Sequence, residues 1–593
     1  NYGGVKTLYD KNVAAGAGAN GWTDQLVSVS ENVNQRQIND GLDSVAQLAN
    51  IQNPRNGQRV YVKSVAANYI YNSNLTASSN GVTIVDKWEM ELQDAYYASW
   101  FCKAESGVDE SVKLQTGYAY ATSKNRAFII DIKVDVLPTV NSDYNGTKAA
   151  IKVLDNSCLI FRQGVGQLRM LPNSLTNYYL ISTYQAKNFA IFNADLVGDR
   201  LTHDYSSGGT HEWGHGLAIY ECENGYFHNP KISNTTGDGI YVGKSWGEPT
   251  DALPKNITIF RPIVDRVRRN GFSLTSAKDL VVESLLISNV GTSDGILGTD
   301  PMAGIDIEPE SASPMNLNLI NCRFNNTTIN SCSSGMDITL VTESSMNIDI
   351  AFTGKTTIND STQKHLSILS TNPSTVGLIE FSDLFVNGDP SVRDMLWSGL
   401  KTPFNIVFRN LNKSGVFKFA QRMNINSNFS KPLGGLEIHS DSEMYLDSTW
   451  DIPGSRHIIS SLLIESSKKI GSYPDSKITY KSPCSISDIS GSDQINNGNI
   501  STNVLPKNKI VANLFAGNPC NLLINDTRVF TISMDAKSYI GQYLILSGFS
   551  FTDNAGGVFS SVKTNDRSAR IVCQKQEDGS LRIIEMYGSW VFQ

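Results

Sequence analysis

The residues of this 593-residue chain best suited to chemistry lie in short segments that each begin with glycine. In AGIDIEPE (303–310), Asp306 and Glu308 stand two positions apart on an alternating strand. Both therefore point to one face, with Cβ atoms about 6.5–7 Å apart. Two carboxylates so placed suit acid/base cleavage of a glycosidic bond, one protonating the leaving oxygen while the other activates water or attacks. Asp337 in GMDI (335–338) falls one repeat further on, about 4.8 Å from Asp306. Such crowding raises a carboxyl pKa and favours a proton donor near neutral pH. Asp238, in ISNTTGDGIYVG (232–243), lies two strand spacings from Asp306, roughly 10 Å at backbone level. Its side chain could close that gap to the separation of an inverting pair. The same residues also read as a solvated acidic face or a Ca2+ site, and Asp238 as a turn residue between glycines.

Arg268 and Arg269 precede the Asn270–Gly271 turn. They suit ion pairs with Asp265 or the acidic residues, or a bidentate contact to an acidic sugar group. His211-Glu212-Trp213-Gly214-His215 has the HExxH form of zinc proteases, a chemistry that needs both histidines on one helical face. Gly208, Gly209, Gly214 and Gly216 surround it, each costing about 1 kcal/mol in a helix, and the LAIY that follows alternates like a strand. A loop on a β face is the expectation, with Trp213 and His215 available to a pyranose ring or to packing. No metal or other cofactor is expected.

The elements that position these residues repeat. GIYV, GFSL, GIDI and GMDI carry their glycines at 239, 271, 304 and 335. NGYF (224–227), NITI (256–259), NLNL (316–319) and NIDI (347–350) recur in a matching register. A period near 32 residues built from short strands and Asn/Gly turns predicts a parallel β-helix, in which like side chains stack on like. The first and third residues after each glycine are apolar and point inward, so Tyr241, Ser273, Asp306 and Asp337 form an outward column. Earlier, Asp109–Lys124 reads as a helix with Val112 and Ala119 on one stripe and Leu114, Tyr118 and Ala121 on the next. After about residue 420 the repeat fades. The strands of 510–593, such as RVFTISM (528–534), suggest antiparallel sandwich modules. The expected division is an N-terminal region over 1–106, the β-helix over 107–420 and a β-rich oligomerisation or sugar-binding region over 421–593.

Composition agrees with an all-β chain. Hydrophobic residues make up 40% and charged residues 18%, with 50 Lys+Arg against 57 Asp+Glu for a net charge of −7. This is neither a disordered nor a helical composition, and its mild acidity argues against nucleic acid as the partner. No apolar run of about 18 residues suits a membrane span. The eight cysteines are scattered without CxxC pairs, so reduced buried thiols are expected. No signal peptide is visible, and a start at Asn1 rather than Met reads as part of something longer.

With NPRNGQRVYVKS (53–64), DESVKLQTGYAYA (109–121), HEWGHGLAIYE (211–221), RRNGFSL (268–274) and AGIDIEPE (303–310), the chain resembles the tailspike depolymerases of bacteriophages, especially those of encapsulated Acinetobacter. The resemblance covers about residues 40–350. It implies a trimer of right-handed parallel β-helices, carried on a phage tail through a preceding region, that binds and cleaves bacterial capsular polysaccharide at the host surface. Two segments depart from it: NSDYNGT (141–147), which interrupts the early coils, and the C-terminal third. On this reading Glu308, Asp306 and Asp238 are the catalytic candidates, and Trp213, His215, Tyr241, Arg268, Arg269 and Asp337 the substrate-binding ones. A polysaccharide lyase using an arginine, and an adhesin without turnover, are the alternatives.

Overall fold

The computed structural model describes residues 40–245, 252–291, 298–309, 319–340, 347–370 and 376–388, and individual strands beyond them. Its first unit is a small antiparallel sheet containing Arg59–Val62, Ala67–Tyr71 and Trp88–Met90. The alternation of RVYVK thus produces the expected strand, with Val60 and Val62 buried.

From Ala95–Tyr97 onward the chain builds parallel ladders. One runs through Ala127–Ile130, Cys158–Phe161, Lys187–Phe192, Glu223–His228, Lys255–Phe260 and Ala277–Glu283. A second runs from Lys133–Val136 through Asp195–Val197 to Leu286–Ser288. A third runs from Lys148–Lys152 through Trp213–Tyr220 and Ile240–Gly243 to Ala303–Ile307 and Ser334–Leu340. The chain visits the three in turn, consistent with a parallel β-helix. The long strand Leu319–Asn330 pairs with both Ala277–Glu283 and Leu286–Ser288, so the first two ladders continue as one. Among the described residues no helix is long and apolar enough to cross a membrane.

The third ladder has the register read from sequence: Ile240, Phe272, Ile305 and Met336 are successive partners. In the first ladder the reading holds for Gly225 and Ile257, but Ile257 is followed by Leu280, a rung the repeat alignment passed over. Leu319 pairs with Ile348, not with Ile350. A two-residue slip keeps every side chain on its face, so the alternation could not reveal it.

Like side chains stack at the strand spacing. Phe324, Phe352, Phe381 and Phe408 lie with centroids 4.9, 4.6 and 4.9 Å apart. At one corner Asn188 donates its amide to Asn156 at 3.1 Å, Asn224 to Asn188 at 2.9 Å and Asn256 to Asn224 at 3.0 Å. All four have φ near +55°, a region asparagine tolerates better than other residues with a Cβ.

The expected helix forms over Ser111–Ser123, its start fixed by Asp109, which accepts from the Ser111 amide and hydroxyl. Leu114, Tyr118 and Ala121 are buried, but Val112 and Ala119 face solvent, so only one of the two stripes packs inward. A Cβ at Gly117 would lie 2.8 Å from the Phe101 and Phe128 rings, so glycine sets how closely the helix approaches. Gln115 donates to the carbonyl of Lys152 and accepts its amide, both at 3.0 Å. A helix side chain thereby takes the place of a neighbouring strand.

NSDYNGT is the turn that joins Val140–Asn141 to Lys148–Lys152 in a short antiparallel pairing. Parallel pairing runs past the boundary expected near 420, through Val416–Arg422 and Glu443–Asp447 to Ile489–Ser490. Antiparallel pairing then joins Val529–Met534, Arg570–Lys575 and Leu581–Tyr587. In GTSDGILGTDPM (291–302), between the strands Leu286–Ser288 and Ala303–Ile307, residues 292–297 lie outside the described residues. Cys102, Cys158, Cys222, Cys322 and Cys332 carry free thiols.

The asparagine corner gives a stability prediction. Asn224→Ala places a Cβ residue without a local acceptor at positive φ and breaks two side-chain links, at a cost of about 1–2 kcal/mol. Asn224→Gly keeps the backbone geometry and should recover about half of that, measured as the shift in denaturation midpoint.

Candidate active site

The third ladder builds the site from two neighbouring outward columns. Tyr241, Ser273, Asp306 and Asp337 are partners on successive rungs. One residue before the glycines, the backbone bonds Gly216–Asp238, Gly239–Asn270 and Gly271–Ala303 set His215, Asp238, Asn270 and Ala303 in a second column. The glycines between the columns are required by packing. A Cβ at Gly239 would lie 2.4 Å from Val264, and one at Gly271 would lie 2.5 Å from Ile287.

The outward column is not a solvent-exposed strip, which corrects the sequence expectation. Asp238 is 0% exposed, and Asp306, Asp337 and Tyr241 are 3% exposed. Alternation decides which face a side chain takes, while the side chains stacked above, below and beside it decide whether water reaches it. Glu308, Trp213 and Glu212 are only partly buried.

Arg269 is the buried counter-charge. Its Nη1 donates to Asp238 Oδ2 at 3.1 Å and Oδ1 at 3.4 Å, its Nε lies 3.9 Å from Glu212 Oε2, and its guanidinium stands 5.5 Å over the Trp213 ring. Burial alone would lower its pKa, but Asp238, Asp306 and Glu212 together raise it above the usual value and hold it charged. Asn270 bridges the carboxylates: its amide N–H donates to Asp238 Oδ1 at 3.1 Å, and its Nδ2 donates to Asp306 Oδ2 at 2.9 Å. Its Oδ1 accepts from the Ala303 amide at 3.0 Å, so this buried side chain is satisfied at both ends. Asp337 pairs with Lys364 at 2.9 Å.

Burial pushes the Asp306 carboxyl well above the carboxylate range, with Glu308, Asp337 and Asp238 adding to it and Arg269 opposing. Glu308 is raised by burial first, then by Asp337, Asp238 and Glu212, with Arg269 again opposing. Asp337 is raised by burial, against the pull of Lys364. Two adjacent carboxyls thus keep a proton at a pH where free ones have lost it, as an acid catalyst requires.

The other expected residues take different places. His215 is enclosed between the Tyr179 and Tyr241 rings, with centroids 5.8 and 5.0 Å away. Its Nδ1 accepts the Asp238 amide at 3.0 Å, and burial brings its pKa down to about 4. It is therefore a neutral ring buttressing Asp238, and its 3.6 Å approach to Asp238 Oδ2 is a contact and not an ion pair. His215 and Tyr241 form a buried layer beneath Trp213, not the groove lining expected. Arg268 turns away from the acids, donating to the carbonyls of Thr210 at 2.8 Å and His211 at 3.1 Å. HExxH does not form a helix: His215 lies within the strand Trp213–Tyr220, and His211 faces His203. Among the described residues no three His, Cys, Asp or Glu are arranged to hold a metal ion. Asn270 was passed over in the sequence because asparagine before glycine reads as a turn. Its place in the Asp238 column was the available clue.

No family model matches the chain. Two proteins of Bacillus subtilis (strain 168) match parts of it. One is the uncharacterized protein YclG, 36% identical over 169 residues, which are 26% of this chain and 28% of that protein. The other is the SPbeta prophage-derived uncharacterized protein YorA, 30% identical over 212 residues, or 33% and 34% of the two lengths. The chain thus spans about a third or less of the relatives it matches. Similar solved structures include tailspike protein 2 of bacteriophage CBA120, with TM-score 0.38 and 13% identity over 70% of this chain and 59% of that one. Tailspike gp49 of Acinetobacter baumannii bacteriophage Fri1, a capsular polysaccharide depolymerase, has TM-score 0.37 and 11% identity over 81% and 70%. The tailspike of Escherichia coli bacteriophage HK620 in complex with pentasaccharide has TM-score 0.40 and 10% identity over 86% and 88%. The structural neighbours of this chain are phage tailspike proteins.

Proposed function

We propose that this chain is a phage tailspike, a trimer of right-handed parallel β-helices on a virion tail, that binds and hydrolyses the capsular polysaccharide of its bacterial host. The observation that carries this reading is the carboxyl pair Asp306 and Glu308, both raised in pKa, set beside the Asp238–Arg269 ion pair. Glu308, the more open of the two, protonates the leaving glycosidic oxygen. Asp238, oriented by Arg269 and the Asn270 amide, is the basic partner that activates water. Burial and the charges of Asp337, Asp238 and Glu212 keep that proton in place, with the buried Asp306 carboxyl behind it. Trp213 and Glu212, at the open edge, are the groups a sugar ring meets. Asp337 acts as a further like charge behind the pair.

A lyase would need an arginine to neutralise a uronate. Arg269 is already engaged by Asp238 and surrounded by Asp306, Glu308 and Glu212, a field that repels a second carboxylate. Hydrolysis is therefore favoured over elimination.

Purified capsules from a panel of encapsulated strains test the proposal. The susceptible capsule should yield new reducing ends with no rise in ultraviolet absorbance. Absorbance matching the reducing ends would mean a lyase, and binding without either signal would leave an adhesin. Glu308→Gln should retain capsule binding and lose turnover by about 100- to 10,000-fold, read by reducing-end assay beside a pull-down.

The pH profile gives a signed prediction. Glu308 is the acid, so activity falls as pH rises through its raised pKa. Asp337→Asn removes a like charge that raises Glu308 and releases Lys364 from its partner, and both changes lower that pKa. The alkaline limb of kcat/KM should therefore move to lower pH in Asp337→Asn, whereas a purely structural Asp337 would change the amplitude and leave the limb in place.

A further inference from the structure

Preceding the acidic columns, the chain between 199 and 211 builds a second arrangement that the glycosidase reading does not use. Ser207 Oγ lies 3.3 Å from His211 Nε2, His211 Nδ1 lies 2.8 Å from His203 Nε2, and His203 Nδ1 lies 2.8 Å from Asp199 Oδ2. Asp199 and His203 are fully enclosed at their side chains. His211 is buried too, while Ser207 is exposed. The relay thus runs from the interior to a single hydroxyl at the surface.

Hydrogen-bond accounting fixes its direction. Asp199 accepts from the Asn173 amide and side chain and from the Tyr178 hydroxyl, so it presents acceptors only, and His203 Nδ1 must donate to it. His203 Nε2 is then an acceptor, His211 Nδ1 donates to it, and His211 Nε2 faces Ser207 as an unprotonated nitrogen. Burial, His203 and Arg268, opposed by the Gly208 carbonyl and Asp204, hold the His211 pKa below its ordinary value, which leaves that nitrogen free of a proton at neutral pH at some cost in basicity. The Ser207 hydroxyl also reaches the Ser174 carbonyl at 3.0 Å, so its hydrogen has two acceptors to turn between.

The backbone supports this geometry at a cost. His211 sits at φ +50°, an uncommon region for a residue with a Cβ, and Arg268 holds it there by donating to the Thr210 and His211 carbonyls. A 3-10 turn over Tyr205–Ser207 ends in Gly208 at φ +81° and Gly209 at φ +94°. A Cβ added at Gly208 would meet nothing within 4 Å. The hydroxyl therefore projects from a sharp turn beside two exposed glycine amides with open space over Gly208, a setting in which a developing oxyanion can be held.

We propose that Ser207 and His211 are the nucleophile and general base of a second active site, one that hydrolyses carboxylic esters, with His203 and Asp199 as positioning residues. Ser207 Oγ attacks the ester carbonyl as its proton passes to His211 Nε2, and the amides of Gly208 and Gly209 receive the carbonyl oxygen. His211 returns the proton to the departing alcohol, leaving an acyl group on Ser207. Water then adds with His211 again taking the proton, and the carboxylic acid leaves as Ser207 regains its hydrogen. One ester and one water give one acid and one alcohol. The substrate class is a small O-acyl ester.

Treatment of the whole protein with a fluorophosphonate probe, and hydrolysis of 4-nitrophenyl acetate, test this without any polysaccharide and so independently of the glycosidase reading. The probe should attach to the peptide bearing Ser207. Ser207→Ala, a change at an exposed position, should abolish the label and lower ester hydrolysis at least about a hundredfold with an unchanged denaturation midpoint. Asp199→Asn removes the charge that favours protonated His211. His203, Asp204, Tyr205 and Arg268, the other groups facing His211, stay as they are. Its kcat should fall with KM retained, and the acid limb of the pH profile should move to lower pH, a shift that a merely structural Asp199 would not produce. A protein that takes no label at Ser207 and hydrolyses the ester no faster than Ser207→Ala overturns the proposal.

Discussion

Everything in the described parallel ladders follows from in-register stacking. A parallel ladder fixes each residue about 4.8 Å from its counterparts on the rungs before and after, so a side chain must be compatible with its own kind or be given a partner. Phenylalanines meet this condition by stacking face on face, as from Phe324 to Phe408. Asparagines meet it by donating to one neighbour while accepting from the next, as at Asn188 and Asn224. A carboxylate cannot do either. Asp306 over Asp337 is a repulsive pair by construction, and the ladder leaves it no room to separate.

The chemistry of the site grows from that conflict. Arg269 and Lys364 offset part of the negative charge, and Asn270 supplies donors to two of the acids. What remains uncompensated is met by protonation: burial and neighbouring acids raise Asp306 and Glu308, and burial raises Asp337. The aromatic layer of Tyr179, His215 and Tyr241 is the uncharged counterpart of the same arrangement. It keeps water from one side of the acids and so sustains the shift.

Much of this was legible in the sequence because parallel ladders built in turn write their register into one dimension. The glycine spacing gave the rungs of the third ladder, and the alternation after each glycine gave the inward residues. The outward column of Tyr241, Ser273, Asp306 and Asp337 emerged from the same pattern. What covers a face did not, because cover comes from residues far away in the chain: Trp213 and Arg269 close over positions that alternation alone marks as outward. The Leu319 slip escaped because a shift of two residues preserves the pattern. His211 shows the limit for motifs, since its spacing to His215 has the form of a metal motif while its contacts run to His203 and Ser207.

Gln115 has a consequence for assembly. A parallel ladder is open at its ends, and an open end is a template onto which another chain can add strands. By bonding both the amide and the carbonyl of Lys152, the helix occupies one such register position, and Leu114 and Tyr118 cover the apolar cross-section alongside. The third ladder is therefore closed at this end by an element that cannot be copied, so no further strand can be templated there. A single helix turn thus sets where the ladder begins.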